Sequence, residues 1–344
     1  MYKNYSEAAK DALRRTASSD QAVRENAMKA FAAKLQEPLR QGIFDRDNLG
    51  EIYEKQVLDP GVQATYPLDF IQPGTEDDYS AFAMPKQGRI PERHVEADEL
   101  TVPTFRIANA IDWDIQFAKD ARFDVIMRAI RVYEAGFVRK INSDGWHTIL
   151  GAADGRGLIV TAGGAAAFTG ATTTATPAAG QLTKELLSRM QTAMTRGAGG
   201  NANSGRLTDF YFSLEGMEDI RAWNADEIDE VTRRDIFVNE EYGLATIYGT
   251  VLHAMTEFGE GQEYQTFLTS TLSASLPSVG GTARKEWCVG LDLSTMDSFV
   301  MPIREELQTF DDPGLYRQLR MGVYGFQIHG FSVLDGRRVI LGAF

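Results

Sequence analysis

FAKDARFDVIMRAIRVYEAGFVRKI, residues 117–141, is the stretch that decides the fold. Its apolar residues recur every four positions, and Ile126 and Ile130 widen the stripe, which is typical of one apolar helix face. The stripe consists of Phe117, Ala121, Val125, Ala129, Tyr133, Phe137 and Ile141. The pattern predicts an unbroken helix roughly 37 Å long. A helix of that length needs a sheet or other helices along its apolar side.

The composition and charge of the chain exclude several classes of protein function. The chain has 344 residues, of which 43% are hydrophobic, and a formal net charge of -13. That charge argues against a general nucleic-acid binder or a membrane-surface protein. The one cysteine, Cys288, excludes an internal disulfide and fits a reducing compartment. With no signal-peptide pattern and no apolar run of about 18 residues, we expect a soluble protein made in the cytoplasm.

The first 40 residues predict helix with a sparse, alanine-rich apolar pattern. They hold eight basic and five acidic residues, a local charge of +3 that leaves -16 for the remainder. Such a segment buries little by itself, so we expect a mobile arm or a helix docked on a neighbour, with a mildly basic solvated helix as the alternative. We expect it to act in assembly and to be dispensable for the core fold. Residues 41–75 are predicted to be irregular, with breaks at Pro38, Pro60, Pro67 and Pro73.

A long hairpin is predicted next. Residues 79–86 and 92–108 both have extended, strand-like patterns, and a turn at Gln87-Gly88 joins them. Prolines inside these runs would break a central sheet strand, so the hairpin is expected to project. A two-stranded ribbon is only marginally stable alone, which indicates a partner.

The middle of the chain indicates an α+β layer. The Gly/Ala/Thr tract at residues 151–180, which a strand at 158–161 could enter, lacks the spacing of a phosphate-binding loop. A helix is predicted at 181–196 with Gly197 as its C-terminal cap. Residues 207–212 predict a strand, after which Ser213 caps a helix that runs to about Trp223. The acidic run at 226–230 is interpreted as a solvated loop.

The last hundred residues are dominated by strand patterns. A hairpin is predicted around Gly249-Thr250, an extended segment at 263–276, and strands at 287–293 and 298–309. In the next run the alternation changes phase at Gly325, which predicts a β-bulge. Asp335-Gly336 predicts a hairpin turn before a last strand at 339–341. These strands are expected to cover the apolar face of the long helix.

No catalytic or metal-binding pattern is evident in the sequence. The four histidines, His94, His147, His253 and His329, form no ligand pair. Cys288 is interpreted as a buried small hydrophobe. The acidic pairs Asp112/Asp114 and Asp311/Asp312 are interpreted as turn and cap residues. We therefore assign no catalytic, cofactor-binding or metal-binding residues and expect a protein that is not an enzyme.

The order of elements resembles a known family. An arm, a projecting hairpin, a long helix, a compact α+β segment and returning strands are similar to the major capsid protein of tailed double-stranded DNA bacteriophages, the phage HK ninety-seven-like fold. The segments that carry the resemblance are FYFSLEGMEDIRAW (210–223), YGTVLHAM (248–255) and VGLDLSTMDSFVMPIREELQTFDDPGLYRQLRMGVYGFQIHGFSVLDGRRVILG (289–342).

The resemblance implies a domain layout and a function. It implies an N-terminal arm (1–58), an extended loop (59–112), a peripheral domain with a spine helix (113–158) and return strands (286–344), and an axial domain (159–285). Hexamers and pentamers would form an icosahedral shell around double-stranded DNA, without sequence-specific binding and without a membrane. A separate scaffolding protein, a portal and a decoration protein are further candidate partners. The protein would be assembled in the host cytoplasm and located in the virion.

Two alternatives from other classes remain open. An encapsulin-type bacterial nanocompartment shares the fold, although the basic arm and the length of 344 residues argue against it. The second alternative is a soluble α+β enzyme that uses the glycine-rich tract 151–180.

Some members of the resembled family join a loop lysine covalently to an asparagine of a neighbouring subunit, with a glutamate as base. Lys86 is a candidate lysine, and Glu305 and Glu306 lie in a suitable region. The acceptor is missing, because the last asparagine is Asn239. The resemblance does not support Gln308, Gln318 or Gln327 as substitutes. The sequence therefore predicts no isopeptide cross-links.

Overall fold

The computed structural model describes residues 7–46, 49–68, 99–162, 179–197, 205–223, 245–279, 281–294 and 296–344. The described α-helices are α1 (Glu7–Thr16), α2 (Gln21–Arg46), α3 (Ile115–Lys119), α4 (Phe123–Gly155), α5 (Lys184–Gly197), α6 (Leu214–Ala222) and α7 (Glu263–Thr266). The described strands are β1 (Glu54–Val57), β2 (Thr65–Pro67), β3 (Glu99–Thr101), β4 (Phe105–Asp114), β5 (Ile159–Thr161), β6 (Asp209–Ser213), β7 (Ala245–Ile247), β8 (Thr250–Met255), β9 (Ser278–Val279), β10 (Thr282–Ala283), β11 (Trp287–Leu291), β12 (Phe299–Asp311), β13 (Arg320–His329), β14 (Ser332–Val333) and β15 (Val339–Ala343).

The chain divides into two compact units, each built from three segments. Unit 1 comprises Met1–Thr65, Thr101–Gly145 and Val300–Phe331. Unit 2 comprises Tyr66–Leu100, Trp146–Phe299 and Ser332–Phe344. Helix α4 contributes residues to both units.

Unit 1 is built on a sheet in which the strand order is β1-β12-β13-β4. Strand β1 runs parallel to β12, and the other pairs are antiparallel. The pairing of β13 with β4 is continuous, from Arg320 opposite Asp114 to His329 opposite Phe105. The helix lies close to this sheet, since the Asn109 amide on β4 donates a hydrogen bond to the Tyr133 carbonyl on α4 at 3.2 Å.

The long helix confirms the predicted stripe from Ile126 to Ile141 but not the predicted bounds. Its buried residues within unit 1 are Ile126, Ile130, Tyr133, Phe137 and Ile141. The predicted start at residue 117 is wrong, because Ala121 adopts a left-handed φ of 52° that separates α3 from α4. The helix also continues to Gly155, well beyond the predicted end.

The N-terminal segment is helical as predicted, but the expectation that it buries little is wrong. Helix α2 buries Met28, Ala32 and Leu39 within unit 1. The Thr309 hydroxyl on β12 donates to the Ala32 carbonyl at 2.9 Å. Arg40 forms an ion pair with Glu306. Pro38 lies inside α2 and does not end it, and strands β1 and β2 lie within the region predicted to be irregular.

The β-bulge predicted at Gly325 is wrong. The β13–β4 register runs through Gly325 without a shift, and the irregularities lie on β12 between Ile303 and Gln308. Gly325 belongs to the buried face of β13, where a β-carbon would overlap the Tyr133 hydroxyl oxygen. The glycine therefore permits close approach of α4. In a sequence, a glycine at a β-bulge and a glycine at a close helix contact look the same.

Unit 2 contains a six-stranded sheet with the order β5-β15-β11-β6-β8-β7. Its core combines this sheet with α5 and α6, and it includes Leu186, Met190, Phe210, Phe212 and Ile340. The predicted strands at 158–161, 207–212 and 287–293 and the helix at 181–196 are confirmed within a few residues. The prediction that Ser213 caps a helix is also confirmed, because its hydroxyl accepts from the Gly216 N–H at 3.1 Å.

Two predictions in the last hundred residues, an extended segment and a hairpin turn, are wrong. Residues 263–276 begin with α7 and a π-helical turn, Phe267–Thr271, so they are not extended. Asp335 caps a short 3-10 helix, Gly336–Arg338. That segment does not close a hairpin, because β13 and β15 belong to different sheets. A local turn signal does not specify which sheet the next strand joins.

Several predicted features lie outside the described residues. These are the hairpin strand at 79–86, the start of the second hairpin strand, most of the tract at 151–180 and the acidic run at 226–230. The base of the hairpin is described, and there β2 and β3 form a two-stranded sheet.

Candidate interaction surfaces

The face of the unit 1 sheet that points away from α4 carries an exposed group of aromatic rings. We call Phe310, Tyr324, Phe326 and Arg106 the aromatic face. Because side chains alternate along a strand, Tyr324 and Phe326 point away from the side on which Gly325 meets Tyr133. Phe310 is 38% exposed and Tyr324 is 39% exposed. Contiguous apolar patches on a protein surface are common at interaction sites, so the aromatic face is a candidate interaction surface.

The aromatic face is ordered by stacking across neighbouring strands. The ring centroids of Phe310 and Tyr324 are 5.5 Å apart, and those of Phe310 and Phe326 are 5.8 Å apart with a 14° interplanar angle. The Arg106 guanidinium lies 4.8 Å from the centre of the Phe326 ring. On β4 the opposing residues include the exposed alanines Ala108 and Ala110. Within the described residues, the strand positions directly opposite Phe326 and Tyr324 on β4 therefore carry small side chains.

Sequence reasoning missed this surface. The predicted phase change at Gly325 placed Phe326, Ile328 and Gly330 in a second alternation and left Tyr324 unassigned. The period of two in Met321, Val323 and Gly325 continues unbroken, and it was the signal that the two aromatic residues lie on the opposite face.

Two residues of the acidic pairs, Asp114 and Asp312, act as caps, as predicted. The Asp114 carboxylate accepts from the Gln116 N–H at the start of α3, and Asp312 accepts from the Gly314 N–H at the start of a 3-10 helix. Asp112 differs, since it lies within β4 and forms an exposed ion pair with Arg320 at 3.0 Å.

One histidine has a carboxylate partner that sequence reasoning did not foresee. In unit 2 the His253 Nε2 lies 2.8 Å from an Asp209 carboxylate oxygen, and the ring stacks on Tyr211 at 4.4 Å between centroids. In the part of the chain that the structure describes, no hydroxyl or thiol donates a hydrogen bond to His253. The pair therefore does not form a nucleophilic triad.

The remaining predicted residues are dispersed. His147 stacks on Phe267, His329 is buried in unit 1, and His94 lies outside the described residues. Cys288 is buried as predicted, and burial raises the pKa of its thiol well above the usual value. No group of three or more His, Cys, Asp or Glu side chains within the described ranges is arranged to hold a metal ion.

A buried carboxylate in unit 2 is electrostatically unfavourable. Glu286 is 6% exposed. Burial raises the pKa of the Glu286 carboxyl, the hydrogen bond from Ser213 opposes that shift, and the negative charges of Glu215, Asp219 and Glu260 add to it. Ser213 therefore caps α6 and also stabilises the charged form of Glu286.

The candidate cross-linking residues are not brought together by any described contact. Glu305 and Glu306 are half-buried on β12, and Glu306 is paired with Arg40. Gln327 is buried, Gln318 is exposed, and Lys86 lies outside the described residues. No helix within the described ranges is both long and apolar enough to span a membrane.

Comparison with known proteins identifies the fold. No protein-family model matches the sequence, and no curated protein matches it significantly. Solved structures do match. A chain from Microbacterium phage Oxtober96 is 13% identical, with 87% of this chain and 90% of that chain covered and a TM-score of 0.55. A chain from the capsid of the native GTA particle is 16% identical, with 87% and 90% covered and a TM-score of 0.51.

Mycobacterium phage Bobi provides a third match, 10% identical over 86% of this chain and 89% of that chain, with a TM-score of 0.51. The chain therefore has the α+β, HK ninety-seven-like fold of phage capsid chains. This confirms the fold class that the sequence resemblance predicted.

Proposed function

We propose that the chain is the structural major capsid protein of a tailed, double-stranded DNA bacteriophage. The observation that carries the proposal is the likeness to a GTA capsid chain, which extends over 87% of this chain and 90% of that one. Copies of the chain assemble as hexamers and pentamers into an icosahedral shell. The role is structural and not enzymatic, and the shell forms in the host cytoplasm as part of the virion.

The surfaces of the subunit support this proposal. The aromatic face exposes large apolar side chains that water does not favour, and another copy of the chain would cover them. Within the described residues, the sheet of unit 1 also ends in β4, a ten-residue strand with one unpaired edge there. Unpaired strand edges are covered in stable proteins, and assembly supplies such a cover.

The domain assignment remains part of the proposal. Residues 59–112 form the extended loop that reaches a neighbouring subunit, and 159–285 form the axial domain. Residues 113–158 and 286–344 form the peripheral domain, and 1–58 form the arm. A scaffolding protein, a portal and a decoration protein are the further partners of the shell.

Size-exclusion chromatography and negative-stain imaging of the purified chain test the proposal. We expect megadalton, icosahedral particles. A monodisperse monomer or small oligomer under all assembly conditions would overturn it. Nucleic-acid and protein analysis of particles from infected cells adds a second criterion, because DNA is expected inside and a cargo enzyme would instead indicate a nanocompartment.

A further inference from the structure

The outer face of α4 carries a row of arginines, which we call the arginine stripe: Arg128, Arg131 and Arg139. At 100° per residue these three positions fall within an arc of roughly 80°. All three side chains are exposed. Between Arg128 and Arg139, Ala135 lies on that arc, and Val132 lies about 20° beyond its edge. The opposite side of the helix is the buried stripe that packs in unit 1.

The arginine stripe contrasts with the charge of the whole chain. The net charge of the protein is -13, whereas residues 119–140 hold six basic and three acidic residues, a local excess of 6 - 3 = +3. Within the described residues, neither Arg128 nor Arg131 has a hydrogen-bond or ion-pair partner. Lys140, by comparison, is bound to Asp144 at 2.7 Å. The one acidic residue on the same arc, Asp124, lies at the N-terminal end of α4.

The chemistry of the stripe selects a type of ligand. Its cations are all arginines, whose planar guanidinium groups bind phosphate oxygens through paired hydrogen bonds. The distance along the axis from Arg128 to Arg139 is roughly 16 Å, over which a DNA duplex presents about ten phosphate charges. Neither Val132 nor Ala135 has a polar group that could read a base edge. The site therefore matches a phosphate backbone in a sequence-independent manner.

The geometry points to the arginine stripe as a contact site for the phosphate backbone of duplex DNA. This inference rests on the proposed function, in which the shell encloses such DNA. Because the rest of the chain is acidic, each contact is weak and sensitive to salt. Many copies on one shell wall would together hold the outermost DNA layer by multivalent contact.

Fluorescence anisotropy with a short labelled duplex of random sequence tests this inference. The full-length chain is compared with R128Q/R131Q over a series of salt concentrations. If both arginines contact phosphates, the slope of log affinity against log salt should decrease in magnitude by about 1.8. The matched control is R14Q/R15Q, which removes the same charge from two exposed arginines of α1. The control should retain the wild-type slope.

Three outcomes would overturn the inference. The first is an unchanged slope for R128Q/R131Q, and the second is an equal loss in R14Q/R15Q. The third is an absence of duplex binding by the wild-type chain at the lowest salt while poly-glutamate binds, which would assign the stripe to an acidic protein. Thermal unfolding and negative-stain imaging of all variants separate the two proposals. If the wild-type chain forms shells but R128Q/R131Q has an unchanged salt slope, only the DNA contact is refuted and the proposed function is left intact. If the wild-type chain forms no shells, the proposed function is refuted whatever its DNA affinity.

Discussion

Gly325 on β13 lies directly against the Tyr133 side chain of α4, so that a β-carbon at this position would overlap the tyrosine hydroxyl oxygen and the Gln308 carbonyl oxygen. Neither neighbour yields easily, since one is backbone and the other is held in the core. We expect Gly325→Ala to lower the free energy of unfolding by about 1–3 kcal/mol, the usual cost of overpacking. Chemical denaturation measures this.

Gly151→Ala is the control, because this glycine of α4 has open space around it and the change should stabilise the helix by up to about 1 kcal/mol. Equal effects of the two substitutions would contradict the packing role.

Glu286 should make stability depend on pH. Burial raises the pKa of the Glu286 carboxyl in the folded chain. The contribution of this carboxyl to folding stability is therefore fully present below its unfolded pKa of about 4.3, and it is lost as the pH rises through its folded pKa. Glu286→Gln should therefore stabilise the protein at neutral pH and flatten the profile above pH 4. Thermal unfolding across pH measures both effects. Ser213→Ala, which removes the helix cap, should instead destabilise by about 0.5–2 kcal/mol. If the unfolding temperature of Glu286→Gln depended on pH in the same way as that of the wild type, burial of this carboxyl would not contribute to the pH dependence of stability.

The N-terminal helices should contribute to stability. Removal of residues 1–40 exposes the surfaces that Leu13, Met28 and Leu39 cover, and it leaves the Thr309 hydroxyl without the Ala32 carbonyl. We expect a lower unfolding temperature in the truncated chain, contrary to the expectation from sequence. Removal of residues 1–6 alone is the control and should leave the unfolding temperature unchanged. An unaltered unfolding temperature after both truncations would restore the interpretation of a dispensable arm.

The hairpin predicted at residues 66–108 should be needed for assembly and not for folding of the subunit. Deletion of residues 80–94 should give folded capsomers or monomers and no shells, because the predicted hairpin is expected to lie over a neighbouring subunit. Size-exclusion chromatography and negative-stain imaging measure assembly, and circular dichroism measures folding. Normal shells from the deleted chain would show that the hairpin is not an assembly element.

Mature particles should contain no covalent cross-links. The segment from residue 240 to residue 344 has no asparagine, and the chemistry of the resembled family needs that carboxamide next to the lysine. Particles boiled in SDS should migrate as one band at 38.1 kDa. A ladder of oligomers, or a branched peptide containing Lys86 in mass spectrometry, would contradict this. Lys86→Arg should leave the electrophoretic pattern unchanged.

Local signals in the sequence were reliable where the local chain itself determines the structure. The stripe of α4, the Ser213 cap and the Gly249 hairpin turn follow from periodicity and side-chain hydrogen bonds over a few residues. Long-range packing was not accessible in the same way. Gly325 is required by Tyr133, and the destination of the chain after Asp335 depends on which sheet has room for β15. The break at Ala121 is a left-handed backbone conformation that its alanine side chain does not signal. The aromatic face needed the register of three strands before it became visible.

Strand β15 lies between β5 and β11 in the sheet of unit 2, with Leu341 opposite Ile159 on one side and Val289 on the other. Strand β15 follows both β5 and β11 in the chain, so it is the last of the three to be synthesised and this sheet stays divided until residues 339–343 are available. Such late, distant pairing slows folding. A chain that lacks residues 339–343 therefore leaves the facing edges of β5 and β11 without the strand that pairs with both.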